Sequence, residues 1–283
     1  MIRNFFIVFF RNVLRHKAYS IINLAGLAIG LACSILITVF VLHELSFDRF
    51  HTKADQIQRL CINMKIGERA SRQASTAVPS GAALRDEIPE ILEFCRIKMW
   101  DDIMLEYEDK RFIEGDFMWA DSSFFRIFDF KLLHGDPETV LREPNSIVLT
   151  EDMAKKYFGD EDPMEKIIKI FSSGDPYQVT GVVENAPANT HFPFNCISSY
   201  HTLDEAKNTF WLSHNLTTYF LLDPLADAAV VEEKLNPIMM KYVGPEVQKL
   251  MGIDLDTWEN EGNEYGMFLQ PLSDIHLNTE IRH

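Results

Sequence analysis

The chain has 283 residues, with 42 acids against 27 bases and a formal net charge of −15. So acidic a chain repels phosphates, which excludes nucleic acid as a partner. Its length suffices for a full buried core in one or two subdomains.

From the N-terminus, Ile2, Phe5, Phe6, Phe9, Phe10, Val13 and Leu14 follow an i, i+3, i+4, i+7 rhythm, opposite Arg3, Asn4, Arg11, Asn12 and Arg15. The pattern predicts an amphipathic helix over residues 1–17 lying in the cytoplasmic headgroup layer. A plain extension of the following span is the simpler alternative.

Ala18 to Leu42 is an uncharged run of 25 residues. At about 1.5 Å per residue it reaches roughly 37 Å, against about 30 Å of bilayer hydrocarbon. A transmembrane helix is therefore predicted over 18–43. The run is too long for the apolar stretch of a signal peptide. Gly30-Leu31-Ala32-Cys33 lacks the leucine that a lipoprotein signal places first. Arg11, Arg15 and Lys17, with Arg3, precede the span without an acid, while Glu44 and Asp48 follow it. Basic flanks stay cytoplasmic, so the N-terminus is expected inside and residues 44–283 outside, in the periplasm of a Gram-negative cell. Removing the four N-terminal bases leaves that outer part at −19.

Within the span Gly26, Gly30, Ser34 and Thr38 recur at every fourth position, and Asn23 adds an amide. Small residues on one stripe let helices approach closely in lipid. The stripe predicts packing against other transmembrane helices, from a second copy, another subunit or a continuation of this chain. The general richness of spans in glycine and alanine is the alternative explanation.

Beyond the span, Thr52-Lys53-Ala54-Asp55 has the form of a capping box. Leu60, Ile62, Met64 and Ile66 alternate with Cys61, Asn63 and Lys65, as in a half-buried strand. Ser80 is placed to cap a helix ending near Pro89. Strands are expected at Phe94–Met99 and Ile103–Tyr107 around an Asp101-Asp102 turn. Asp121 is placed to cap a short helix through Phe128. Ser146–Thr150 reads as a strand, followed by a helix capped by Thr150 and stopped by Gly159. Tyr177–Val183 is another strand. Asp227 to Val243 reads as a helix kinked by Pro237 and closed by Gly244-Pro245, and Met267–Leu272 as the last strand. The mixed order indicates an α+β domain.

The chemical inventory is sparse. The chain contains no G-x-x-x-x-G-K-[ST], no G-x-S-x-G and no S-x-x-K. His43-Glu44 opens like a zinc-protease helix, but the next histidine is His51, whereas zinc needs one at i+4. His191 and His201 read as structural. With Cys33 in the span, Cys61, Cys95 and Cys196 allow at most one disulfide and are expected as buried thiols. No catalytic, cofactor-binding or metal-ligating residue is expected.

Six segments carry a resemblance. RNVLRHKAYSIINLAGLAIGLACSILI with HELSFDRFHTKADQI, then FFRIFDFKLLHGDPETVL, EPNSIVLTEDMAKKYFGDEDP, YQVTGVVENAPANTHFPF and FLQPLSDIHL stand in the order found in MacB/FtsX-type ABC transporter permeases, notably the large Bacteroidetes-style ones. The chain resembles these over essentially its whole length. It departs at Glu165, where that family usually has a glycine. The resemblance implies an α+β fold: one N-terminal transmembrane helix followed by an extracytoplasmic two-subdomain domain over 44–283, a MacB-like periplasmic core. It also implies a non-enzymatic permease subunit, or its N-terminal part, in the bacterial inner membrane. Such a chain carries no cofactor of its own. ATP is bound by a partner, a cytoplasmic ABC ATPase, and further transmembrane helices or a second permease copy complete the unit in the bilayer. The chain stops about where a second span is expected. His43, Glu44 and Asp48 would form the coupling stalk between helix and outer domain. A single-span sensor or binding module is the competing reading, and a membrane-anchored hydrolase a third.

Overall fold

The computed structural model describes residues 4, 7, 11, 15–171, 173–252, 254–260, 262–278 and 280–282. Two compact units emerge, Met1–Ser46 and Phe47–His283.

The first unit is built on helix α1 (Lys17–Glu44), 28 residues long and apolar enough to cross a membrane. None of its residues is buried. Most of the amphipathic helix expected over residues 1–17 lies outside the described residues. Arg11 and Arg15 are helical and exposed.

The second unit is a mixed sheet with helices packed on it. In chain order come β1 (Ile57–Ile66), β2 (Arg69–Gln73), β3 (Ser75–Ala77), α2 (Ser80–Glu87), β4 (Ile91–Trp100), β5 (Ile103–Tyr107), β6 (Lys110–Glu114), β7 (Phe117–Ala120), α3 (Phe124–Ile127) and β8 (Leu132–His134). Then follow β9 (Ser146–Thr150), α4 (Glu151–Phe158), β10 (Ile167–Ile170), β11 (Pro176–Val183), β12 (Cys196–Ser199), β13 (His214–Leu222), α5 (Ala228–Met251), α6 (Leu255–Asn260), β14 (Glu264–Pro271) and β15 (Ile281–Arg282). The spatial order is β15-β2-β1-β13-β4-β7-β12-β9-β11-β10-β5-β6, with β14 on β1, β3 on β13 and β8 on β11. The pairs β7–β12, β9–β11 and β2–β15 are parallel. Separate hydrophobic clusters lie along this continuous sheet. One gathers Phe124, Phe128, Phe130, Phe192 and Phe194. A second packs Met153, Tyr157 and Phe158 of α4 on β9, β10 and β11. In a third, Val231, Leu235, Met239, Val243 and Val247 of α5 meet Leu60, Ile62, Met267 and Leu269.

Several sequence expectations hold in detail. Thr150 caps α4 by accepting the Met153 N–H at 3.4 Å, and Gly159 follows at φ 66°. Cys61, Cys95 and Cys196 are buried free thiols. Others need correction. Thr52 does not cap its helical turn: its N–H and hydroxyl both donate to the Asp129 carboxylate, a longer-range partner. Ser80 makes no cap bond. The Asp121 carbonyl accepts the Phe124 N–H, but its carboxylate pairs with Arg96 at 2.8 Å. The first six residues of β1 are buried on both faces, because Leu60 and Ile62 pack in the cluster under α5 while Cys61, pointing the other way, packs with Ala74 and Ile281. Helix α5 runs through Gly244-Pro245 and stops only at left-handed Gly252. Its apolar stripe continues to Val247, so packing outweighs the backbone bond that Pro245 removes. β14 is followed by the short β15.

Candidate functional site where the chain joins the folded unit

α1 carries the predicted packing stripe on an exposed surface. A Cβ at Gly26 or Gly30 would meet nothing within 4 Å. The Ser34 hydroxyl donates to the Gly30 carbonyl at 2.9 Å and that of Thr38 to the Ser34 carbonyl at 2.8 Å. These hydroxyls are thus satisfied within the helix, and the stripe offers shape rather than free donors. Asn23 lies on the same exposed helix, and Lys17 starts it. His43 and Glu44 form its last turn, closed by the Leu45 N–H on Val41 and by the Ser46 N–H and hydroxyl on His43.

Asp48 belongs to the second unit, where the chain turns sharply. It sits at φ 57° and is 1% exposed. Aspartate tolerates this left-handed conformation better than most residues. Its Oδ1 accepts the His191 N–H and the Thr190 hydroxyl, each at 3.2 Å, and its N–H donates to the Asn189 carbonyl at 2.9 Å. Its Oδ2 lies 2.8 Å from His191 Nδ1. That nitrogen, facing a carboxylate, carries the proton, so Nε2 accepts the Tyr219 hydroxyl at 2.7 Å. Burial lowers the His191 pKa against the pull of Asp48, and burial raises that of Tyr219. Arg59, 1% exposed, donates from Nε and Nη2 to Gln270 Oε1 at 3.1 and 2.6 Å. The Cys61 thiol, pushed up to about 11 by burial, lies on the same amide oxygen.

The segment 47–54, here called the lead-in, has further ties. Phe47 stacks on His276 with ring centroids 3.3 Å apart. His51 Nδ1 accepts the Asp129 N–H at 3.0 Å, and its ring lies among Phe50, Phe128 and Phe130. Lys53 Nζ donates to the Arg126 carbonyl at 2.7 Å. Seven residues of chain are thereby fastened to three remote segments, around 126–130, 189–191 and 276. Sequence reasoning found Asp48 but missed His51, Thr52, Asp129, Tyr219, Arg59 and Gln270 as its companions. The available signal was order: His51 and Thr52, Asp129, His191, and Gln270 with His276 lie in four of the six motif segments, which the fold brings together. Among the described residues no group of three His, Cys, Asp or Glu side chains is placed to hold a metal.

Residues 20–238 match the profile of the MacB-like periplasmic core domain. The chain belongs to that family. A MacB-like core so defined begins within α1 and ends within α5. A domain assigned to a permease protein of Porphyromonas gingivalis superposes with a TM-score of 0.66 at 18% identity, covering 78% of this chain and 91% of that one. The periplasmic region of MacB from Actinobacillus actinomycetemcomitans aligns with a TM-score of 0.50 at 18% identity, covering 80% and 94%. At such identities the likeness is one of fold. No curated protein shows a significant sequence match.

Proposed function

We propose that this chain is a permease subunit, or the N-terminal part of one, in a MacB/FtsX-type ABC transporter. A cytoplasmic ATPase partner hydrolyses ATP, and α1 carries the resulting displacement to the folded unit outside the membrane, for export or lipoprotein handling. The basic flank at Arg11, Arg15 and Lys17 supports a cytoplasmic N-terminus. Family membership supports the transporter class.

The observation that carries the reading is the fastening of the lead-in. A flexible tether would let α1 move without consequence for the domain. Here Asp48 binds the 189–191 loop, His51 and Thr52 both bind Asp129, and Lys53 binds the Arg126 carbonyl. A pull on the lead-in therefore loads several elements at once. On the helix side, no Gly or Pro interrupts Leu42-His43-Glu44-Leu45. Replacing His43 by a Gly-Pro pair should uncouple ATP hydrolysis from transport in proteoliposomes holding the ATPase, with the domain still folded by circular dichroism. Unchanged coupling counts against the proposal.

A further inference from the structure

We propose that the lead-in is a proton-sensitive latch, closed while His51 is neutral and released when its ring takes up a proton. The inference rests on the coupling role just proposed and names a regulator of the same site: the acidity of the compartment that the folded unit faces.

Three features carry it. First, His51 Nδ1 is an acceptor, holding the Asp129 N–H at 3.0 Å. A protonated imidazole has two donors and no acceptor. Protonation at Nδ1 turns that contact into N–H against N–H. Second, with Nδ1 accepting, Nε2 already carries the hydrogen of the neutral ring, so an added proton can enter only at Nδ1. Nε2 is buried without a hydrogen-bond partner among the described residues, and the ring packs on Phe50, Phe128 and Phe130 at centroid separations of 4.1, 5.4 and 5.2 Å. The charged ring therefore gains no compensating acceptor at either N–H and is expelled toward water rather than held. Third, the released bond is the one that matters mechanically. Asp129 also receives the Thr52 N–H and hydroxyl, so one residue anchors both His51 and Thr52 to the 128–130 segment.

The charged and titratable groups facing His51 are Asp48, Asp129 and His191. Both acids favour a charged ring, and His191 opposes it. Each acid is already engaged: Asp48 by His191 and Thr190, and Asp129 by Thr52. Burial outweighs them and lowers the His51 pKa to about 4. His191 behaves differently, because its carboxylate partner can compensate a charge and the Tyr219 oxygen can accept from a protonated Nε2. An open His51 titrates near 6.5 and a closed one near 4, so acid selects the open form between these values. Between pH 7.5 and pH 5.0 the opening equilibrium should rise roughly 25-fold.

The test is residue-resolved amide exchange on the full chain in lipid nanodiscs at pH 7.5 and 5.0, corrected for intrinsic exchange. Protection at Thr52 and Asp129 should fall roughly 25-fold, while Val148 and Val179 in the central sheet keep theirs. In His51→Asn a side-chain oxygen replaces Nδ1 without titrating, and the fall should vanish. No fall in the wild type, or an equal fall in the variant, overturns the latch. Should the variant not fold, the wild-type His51 ring proton decides: titration near 4, in step with opening, supports the latch, and titration near 6.5 with protection unchanged overturns it. ATPase-driven transport measured at the same two pH values separates the underlying reading. A fall in protection with coupling intact leaves the latch standing and removes the coupling role; unchanged protection removes the latch whatever transport does.

Discussion

Asp48 shows how much one side chain can organise. Its carboxylate takes two donors and faces the His191 ring at 2.8 Å. Asp48→Ala should cost about 3 kcal/mol in chemical denaturation, since buried donors lose their acceptor and alanine adopts the left-handed turn reluctantly. Asp48→Asn, which keeps both an acceptor and the turn, should cost roughly half as much. Glu165 offers the opposite case. It stands at φ 64°, a left-handed conformation that a glutamate adopts at the expense of strain. Glu165→Gly should stabilise the protein by about 0.5–1 kcal/mol, the left-handed penalty less the extra freedom of an unfolded glycine. His51 sets a pH dependence. Its folded pKa is depressed to about 4, so its neutral form is favoured by folding. That contribution is intact above pH 6.5 and declines as pH falls from 6.5 toward 4, by about 3 kcal/mol in total. Unfolding midpoints measured across that window should fall in the wild type and much less in His51→Asn.

Among the elements, α4 was fully legible: a strand, a threonine cap, one buried face and a glycine stop occur within Ser146–Gly159. Thr150→Ala should cost about 1 kcal/mol through the lost cap, read as a shifted denaturation midpoint. α5 was legible in its start at Asp227, which accepts the Ala229 N–H at 3.0 Å, but not in its end. Local rules end a helix at Gly-Pro. What keeps this one going is contact with residues far away in sequence: beyond Pro245 the Glu246 carboxylate accepts the Trp211 N–H at 2.9 Å, and Val247 is buried in the cluster under α5. The stripe on α1 yields a sharp test because none of the described residues covers it. A side chain at Gly30 meets nothing within 4 Å, so Gly30→Leu should leave the domain's stability unchanged. If the stripe packs against other spans, that variant should reduce co-purification of membrane partners several-fold. Equal recovery would assign the glycine to composition alone.

For the whole molecule, chain order and spatial order part company. β4 and β5 follow one another across Asp101-Asp102, yet β4 lies between β13 and β7 while β5 lies between β10 and β6. Parallel pairs such as β9–β11 depend on crossovers that strand patterns do not announce. The same crossing of the chain brings 47–54, 124–130, 189–194 and 270–276 together around the lead-in. Separately they read as a turn, a phenylalanine-rich helix, a histidine loop and a strand end.

The sequence by itself determined the apolar helix, the sign of its flanks, the acidity of the outer domain, the Thr150 and Asp227 caps and the family. Each of these depends on residue type at short spacing, where hydropathy, capping and charge act locally. Only the tertiary structure decided which buried histidine binds which acid, where α5 ends, and that the lead-in is fastened rather than tethered. These depend on desolvation and on hydrogen bonds between residues tens to hundreds of positions apart, whose partners exist only once the sheet has formed.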